Sequence, residues 1–221
     1  MSVFSSIAAL FRRQPQPVEW SFFPELQSFV AGKSVAELFR SQPHLRTVTT
    51  FRAENVAQLG LQVFERVSDT DRRRVTGGPL ARLLSRPNSH MTLPELLRRV
   101  VLDYDLYGCA YLLLAEADTD SGWRLQPIPH GWVVGVKGGD GFGPDRYIVS
   151  APQSAGRRVE VPAENMLVLR DYDPESLTAS SAPVDALRDT MAEQIAAWEY
   201  RRQMWSRGGR VGTFISRPKD A

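Results

Sequence analysis

The run from Leu83 to Ala115, LLSRPNSHMTLPELLRRVVLDYDLYGCAYLLLA, leaves a chain few choices. Arg86-Pro87-Asn88-Ser89 is a turn by composition, because proline fixes φ and Asn and Ser bond nearby backbone. Thr92 offers a hydroxyl to the unpaired N–H groups of a helix start. Glu95, three residues on, reaches back to close a capping box, and Pro94 suits the first turn. Leu96, Leu97, Val100, Val101 and Tyr104 recur at helical spacing, with Arg98, Arg99, Asp103 and Asp105 assigned to the other faces. Gly108 can adopt the positive φ that ends such a helix. Tyr111 to Ala115 then reads as a buried strand. The stretch predicts a turn, a capped helix, a sharp stop and a strand.

The 221 residues are enough for one large domain or two small ones with a real core. The balance of 27 basic and 25 acidic residues leaves a net charge of +2. That is not the footprint of a protein gripping nucleic acid over a broad basic face. Near-neutrality is compatible with a conduit past which DNA slides. A single cysteine, Cys109, excludes an internal disulfide and a cysteine-rich zinc site. Its place between a helix stop and a strand predicts a buried, inert thiol. No stretch reaches the ~18 apolar residues that span a bilayer. At the N-terminus the basic residues follow the apolar ones, the reverse of a signal peptide.

Residues 1–34 read as an arm, with an amphipathic start and then prolines among Trp20, Phe22, Phe23 and Phe29. Exposed aromatics there call for a partner surface. Val48, Phe51, Asn55 and Leu59 fall at helical spacing, and Leu61, Val63 and Glu65 alternate as a strand does. Residues 67–79 read as a charged loop carrying the basic run Arg72-Arg73-Arg74. Pro79-Leu80 and Leu83-Leu84 begin a short helix. Asp118 to Gly122 is a hairpin turn. Strands are expected near Trp123–Ile128, Trp132–Lys137, Arg146–Ser150 and Met166–Arg170. Gly138 to Gly143 contains a G-x-G, but no helix follows and Asp140 would repel phosphate, so a long turn explains it. From Pro183 to about Arg207 there is no internal Gly or Pro, and Ser180 or Ser181 can cap a helix there. Val184, Met191, Trp198 and Trp205 repeat every seven residues. About 25 residues give a helix roughly 37 Å long, which needs neighbours to bury its stripe. Helices and short strands mixed in this order make the chain α+β.

The order of these motifs resembles the portal proteins of tailed bacteriophages, of the group typified by the Hong Kong ninety-seven phage. The resemblance rests on Leu83-Leu84-Ser85-Arg86-Pro87-Asn88, the Met91-Thr92 helix start and Gly108-Cys109-Ala110-Tyr111. It extends to Leu125-Gln126-Pro127-Ile128 with the valine-rich strand after it, and to Val161–Arg170. Val168 stands where relatives often carry a histidine, and Ser181-Ala182-Pro183 where they often have Gly-x-Ser-Pro.

The resemblance implies a portal-like wing of helices and a small, mostly antiparallel sheet over 35–181. A stem helix over 182–207 and the start of a clip over 208–221 follow. It covers nearly all of this chain but only about the first half of a portal, whose second stem helix, channel loop and crown come later in relatives. It implies a ring of copies, a dodecamer in the family, at one capsid vertex of the virion, assembled in the host cytoplasm. Double-stranded DNA would pass through without its sequence being read. The major capsid protein, terminase and a head-tail connector or adaptor protein would be the other partners, with no membrane.

The residues themselves show no catalytic set. His44, His90 and His130 are far apart, with no metal-ligand spacing, and no cofactor is expected. Asp103 and Asp105 point about 200° apart on a helix and would not converge on one metal. No P-loop and no nucleophile elbow are present. The chain is therefore read as a non-enzyme. Arg201, Arg202, Arg207 and Arg210 are the candidates for the channel wall or clip, against a plainer reading as salt bridges or solvated charges. Trp198, Trp205, Met191, Phe22 and Phe23 are the candidates for subunit interfaces. The competing readings are a DNA-processing enzyme such as a nuclease, and a generic interaction module of a virion.

Overall fold

The computed structural model describes residues 32–206 except 155, together with 208. The described residues fall into two compact units that meet in sequence at Asp185 and Ala186. The first opens with α1 (Val35–Ser41) and α2 (Pro43–Leu59). A hairpin of β1 (Val63–Arg66) and β2 (Arg72–Val75) follows, then α3 (Pro79–Ser85) and α4 (Leu93–Tyr107). Next come β3 (Cys109–Glu116), β4 (Trp123–Ile128), β5 (Val133–Lys137), β6 (Arg146–Val149), β7 (Val159–Pro162) and β8 (Met166–Arg170). The unit ends in a single turn, α5 (Pro183–Ala186), at the boundary.

Two three-stranded sheets carry the core, ordered β4-β3-β8 and β5-β6-β7, and every pairing is antiparallel. Side chains alternate across β3, so it serves two layers. Ala110 and Leu112 meet Leu96 and Val100 of α4, with Leu93, Tyr104 and Leu125 around them. Tyr111 and Leu113 point the other way, into a second cluster with Tyr147 of β6, Val161 of β7 and Met166 of β8. Helix α2 lies on the far side of α4, so the layers run α2, α4, sheet, sheet.

Helix α4 begins as the sequence requires. Glu95 accepts hydrogen bonds from the Thr92 N–H at 2.8 Å and the Thr92 hydroxyl at 2.9 Å. It ends at Gly108, whose φ of 66° is left-handed and whose N–H returns to the Tyr104 carbonyl at 2.8 Å. The turn before it is buried, beyond what its composition suggests. Pro87 is among the fully buried side chains, and the Asn88 amide donates to the Leu125 carbonyl at 3.0 Å while its oxygen accepts from the His90 N–H. Leu125 N–H in turn bonds the Pro87 carbonyl at 2.7 Å. The turn thus ties the start of α4 to β4.

Four expectations need correction. The basic run Arg72-Arg73-Arg74 is strand β2 and not a loop, paired with β1 and held by Arg73 to Glu65 at 2.7 Å. Strand β3 starts at Cys109, directly after the glycine stop, and β7 is an additional strand before Met166. Asp105 is not on an outer face: it is 5% exposed because α2 packs over that side of α4. The helix expected to run unbroken from Pro183 divides at Leu187 into α5 and α6 (Arg188–Ser206). The break has no Gly or Pro behind it; it coincides with the boundary between the compact units. Neither serine hydroxyl is kept for the cap: Ser181 Oγ donates to Asp173 and Ser180 Oγ to the Tyr107 carbonyl.

Candidate functional site

Helix α6 carries most of the residues singled out by sequence, and it is described within its own unit. Met191 is buried, at 6% exposure, as is Ala192 beside it. The seven-residue repeat then changes character: Trp198 and Trp205 are exposed, together with Tyr200 and Met204. Arg202 is committed to its own helix. Its guanidinium makes two bonds to Glu199, at 2.7 and 3.0 Å, and its carbon lies 5.7 Å from the centre of the Trp198 ring. That pairing holds the Glu199 carboxyl below its usual range and raises the guanidinium further. Arg201, on the adjacent face, is exposed and donates through Nε to the Ala197 carbonyl at 3.2 Å. Among the described residues no carboxylate pairs with it. Arg207, Arg210, Phe22 and Phe23 lie outside the residues whose side chains are described.

A second polar constellation is buried in the first unit, and sequence reasoning missed it. Arg52 Nη1 of α2 lies 2.9 Å from Asp105 Oδ1, an ion contact without hydrogen-bond alignment for that oxygen. Burial raises the Asp105 carboxyl, Arg52 lowers it and Asp171 raises it again. Tyr104 Oη donates to Asp171 at 3.2 Å, and the Asp171 N–H bonds the Gly108 carbonyl at 2.7 Å. These bonds fasten the end of β8 to the end of α4. No free acid, base or nucleophile emerges from them. Cys109 is 2% exposed and burial pushes its thiol up, which leaves it protonated and unreactive.

Asp103, on the same helix, is half-buried, and burial pushes its carboxyl from an ordinary 3.8 up to about 6 against the lowering influence of Arg99. A carboxyl whose folded pKa exceeds its unfolded one binds more protons when folded. Its stabilising protonation is complete below about 4 and lost as pH rises through about 6. Asp103→Asn is therefore expected to raise stability at pH 7, by about 1 kcal/mol after allowance for solvent screening. It is also expected to flatten the stability profile between pH 4 and 6, read by urea denaturation across that range.

The histidines stay apart in role. His44 and His90 are exposed, whereas His130 stacks on Tyr107 with centroids 4.4 Å apart and rings 2° from parallel. Burial lowers its pKa. Among the described residues no three His, Cys, Asp or Glu side chains are placed to hold a metal ion, and no helix is long and apolar enough to cross a membrane.

What remains is a layered α+β unit with a long helix after it and exposed apolar surfaces on both α2 and α6. Residues 43–221 match the model of the phage portal protein family. The chain belongs to that family. Its members are structural proteins and not catalysts. No curated protein matches the chain. Among solved structures, portal-like architecture recurs in a chain from the virion of a native gene transfer agent particle, with a TM-score of 0.64 and 16% identity. That match covers 98% of this chain and 52% of the other. A chain from the neck of the native particle, computed with C12 symmetry, gives 0.63 at 16% identity, covering 98% and 52%. A chain from the neck of the empty particle, computed with C6 symmetry, gives 0.62 at 16%, covering 85% and 49%. At this identity the likeness is one of fold, and this portal-family chain spans about half the length of each structure it matches.

Proposed function

We propose that the protein is the subunit of a ring at one vertex of a virion capsid, through whose centre double-stranded DNA is packaged and later ejected. The observation that carries this reading is the family match over residues 43–221, which takes in the layered unit and the long helix together. It is supported by the symmetry of the neck assemblies that share the fold, computed as C12 and C6. The work is mechanical: a rigid channel wall that makes and breaks no bonds.

In this reading residues 35–181 are the wing, 182–207 the stem helix and 208–221 the start of the clip, with 1–34 an arm laid on a neighbour. The break at Leu187 puts the change from wing to stem at the boundary between the two compact units. Trp198 and Trp205, exposed on the single chain, and Met191, Phe22 and Phe23 are subunit-interface candidates. Of the channel candidates Arg201 is the stronger, because the Arg202 guanidinium is already held by Glu199 and Trp198. Arg207 and Arg210 follow on the approach to the clip. Contacts from such residues to phosphate are sequence-blind and salt-sensitive, as a conduit requires, since tight binding would stall the DNA. Terminase, head-tail connector proteins and the major capsid protein are the further partners. The test is electron microscopy of the intact protein. Closed rings with an open centre are expected, and a population of monomers alone overturns the reading.

A further inference from the structure

The outer face of α2 is the feature left without an intramolecular role. The helix buries a stripe of small residues, Leu45, Thr49, Ala53 and Ala57, against the rest of its unit. Its bulkier residues point the other way. Val48 is 67% exposed, Phe51 69% and Leu59 79%. His44, Thr47, Val48, Phe51, Asn55, Gln58 and Leu59 share one arc of the helix, and all are exposed. That arc has no Asp, Glu, Lys or Arg. The charges sit on its two margins: Arg52 on one side, turned to Asp105 at 2.9 Å, and Glu54 on the other, 3.8 Å from Arg98. Beyond the helix, Leu61 continues the surface into an open cleft of about 370 Å³, lined also by Val63, Val75, Leu84 and Leu93.

A charge-free centre with charges on the rim is the organisation of a protein–protein contact. It excludes DNA phosphate as the occupant, which would demand cations on the arc. The arc covers roughly 250 Å², taking a helix about 24 Å long and about 10 Å wide. A lone two-body complex buries about 800 Å² on each partner, so this arc by itself is too small to hold one. A small contact suffices where it is repeated around a closed ring, since each copy is then held from two sides and by contacts elsewhere along its length.

We infer that the Val48–Phe51–Leu59 face of α2 packs against an adjacent copy of this chain in the ring. The inference rests on the ring reading above. The contact is heterologous, as in any cyclic ring larger than a dimer, so α2 meets a different surface of the neighbour. Phe51 is the anchor, a large rigid side chain at the middle of the arc.

The experiment uses the intact protein and two substitutions. Phe51→Asp with Leu59→Asp puts two charges at the centre of the contact. Both side chains are exposed in the single chain, so circular dichroism and melting should be unchanged. The fraction in rings, read by mass photometry and electron microscopy, should fall at least tenfold. In a second protein, benzoylphenylalanine replaces Phe51, and irradiation of assembled rings should give a cross-linked dimer. Rings at wild-type yield from the F51D/L59D protein overturn the inference and leave the ring reading standing. So does a cross-link that stays within one chain, for instance to residues 1–31, which would make the arm the occupant. Failure of the unsubstituted protein to form rings overturns the ring reading, and this inference with it.

Discussion

Gly108→Ala is expected to lower the melting temperature of the intact protein by about 6–12 °C, the equivalent of about 3 kcal/mol in a domain of this size. Two costs add. The residue sits at φ 66°, where a side chain with a Cβ is strained by about 1 kcal/mol. The Cβ would also lie 2.5 Å from the Ser181 carbonyl oxygen and 2.9 Å from its carbon. That neighbour is backbone, so it cannot swing aside as the tip of a side chain would. Making room means moving the segment that enters α5, or moving Gly108 away from the Asp171 N–H that bonds its carbonyl at 2.7 Å. Gly122→Ala is the control. It shares a positive φ, 72°, but a Cβ there meets nothing within 4 Å, so only the strain of about 1 kcal/mol remains. Differential scanning calorimetry of the two variants separates backbone strain from the clash. Equal melting temperatures would rule out the close approach of Ser181.

The Gly108 position also marks how far the sequence could be read. Its φ and its place as a helix stop follow from a glycine after a periodic helix. The approach of Ser181, distant in sequence, does not. The same division runs through the chain. Strands β4 and β8 lie where alternation and turn residues put them, because both signals are local. The strand around Arg72–Arg74 was illegible because a run of three arginines carries no apolar alternation. It becomes a strand by pairing with β1, with all but Val75 of its residues exposed. Helix α2 was recognisable by period, yet period could not say which face is buried. Its bulky residues mark the exposed arc, while Ala53, Ala57 and Thr49 allow α2 to lie close to α4.

The candidate site divides along a different line. The family could be recognised because its motifs are turns, caps and glycine stops, whose residue types are fixed by backbone geometry. The functional residues on α6 are ordinary arginines and tryptophans, whose role depends on what they face. Sequence spacing treated Arg201 and Arg202 alike. Only the placed side chains separate the one clasped by Glu199 from the one on the adjacent face. The heptad from Val184 to Trp205 was visible, but not that its first two members are buried in the single chain and its last two exposed. A stripe that leaves the fold half covered is what assembly would complete.

The pair between Arg52 and Asp105 shows how the outer α2 layer is tied to the core. Arg52→Ala is expected to destabilise the intact protein by about 2–3 kcal/mol at pH 7, from loss of the only cation beside a buried carboxylate. The figure sits at the low end of the range for buried pairs because Arg52 itself is 61% exposed while Asp105 is 6% exposed. Most of the cost comes from the charge left behind, not from the pair's own worth. The sign of the pH dependence tests that. Burial already raises the Asp105 pKa above 3.8, Asp171 raises it further, and Arg52 opposes both. Without Arg52 the folded pKa rises again, so the folded protein takes up a proton at a pH where the unfolded chain does not. Stability of the variant then falls as pH rises through that folded pKa and is recovered towards pH 4. The penalty should therefore be greatest near pH 7–8 and shrink on acidification, measured as the difference in urea midpoint between variant and parent. Adding Asp105→Asn to Arg52→Ala removes the stranded charge, so the double variant should be more stable at pH 7 than Arg52→Ala alone. A penalty independent of pH would mean that Arg52 acts by packing its methylenes between the helices and not by its charge.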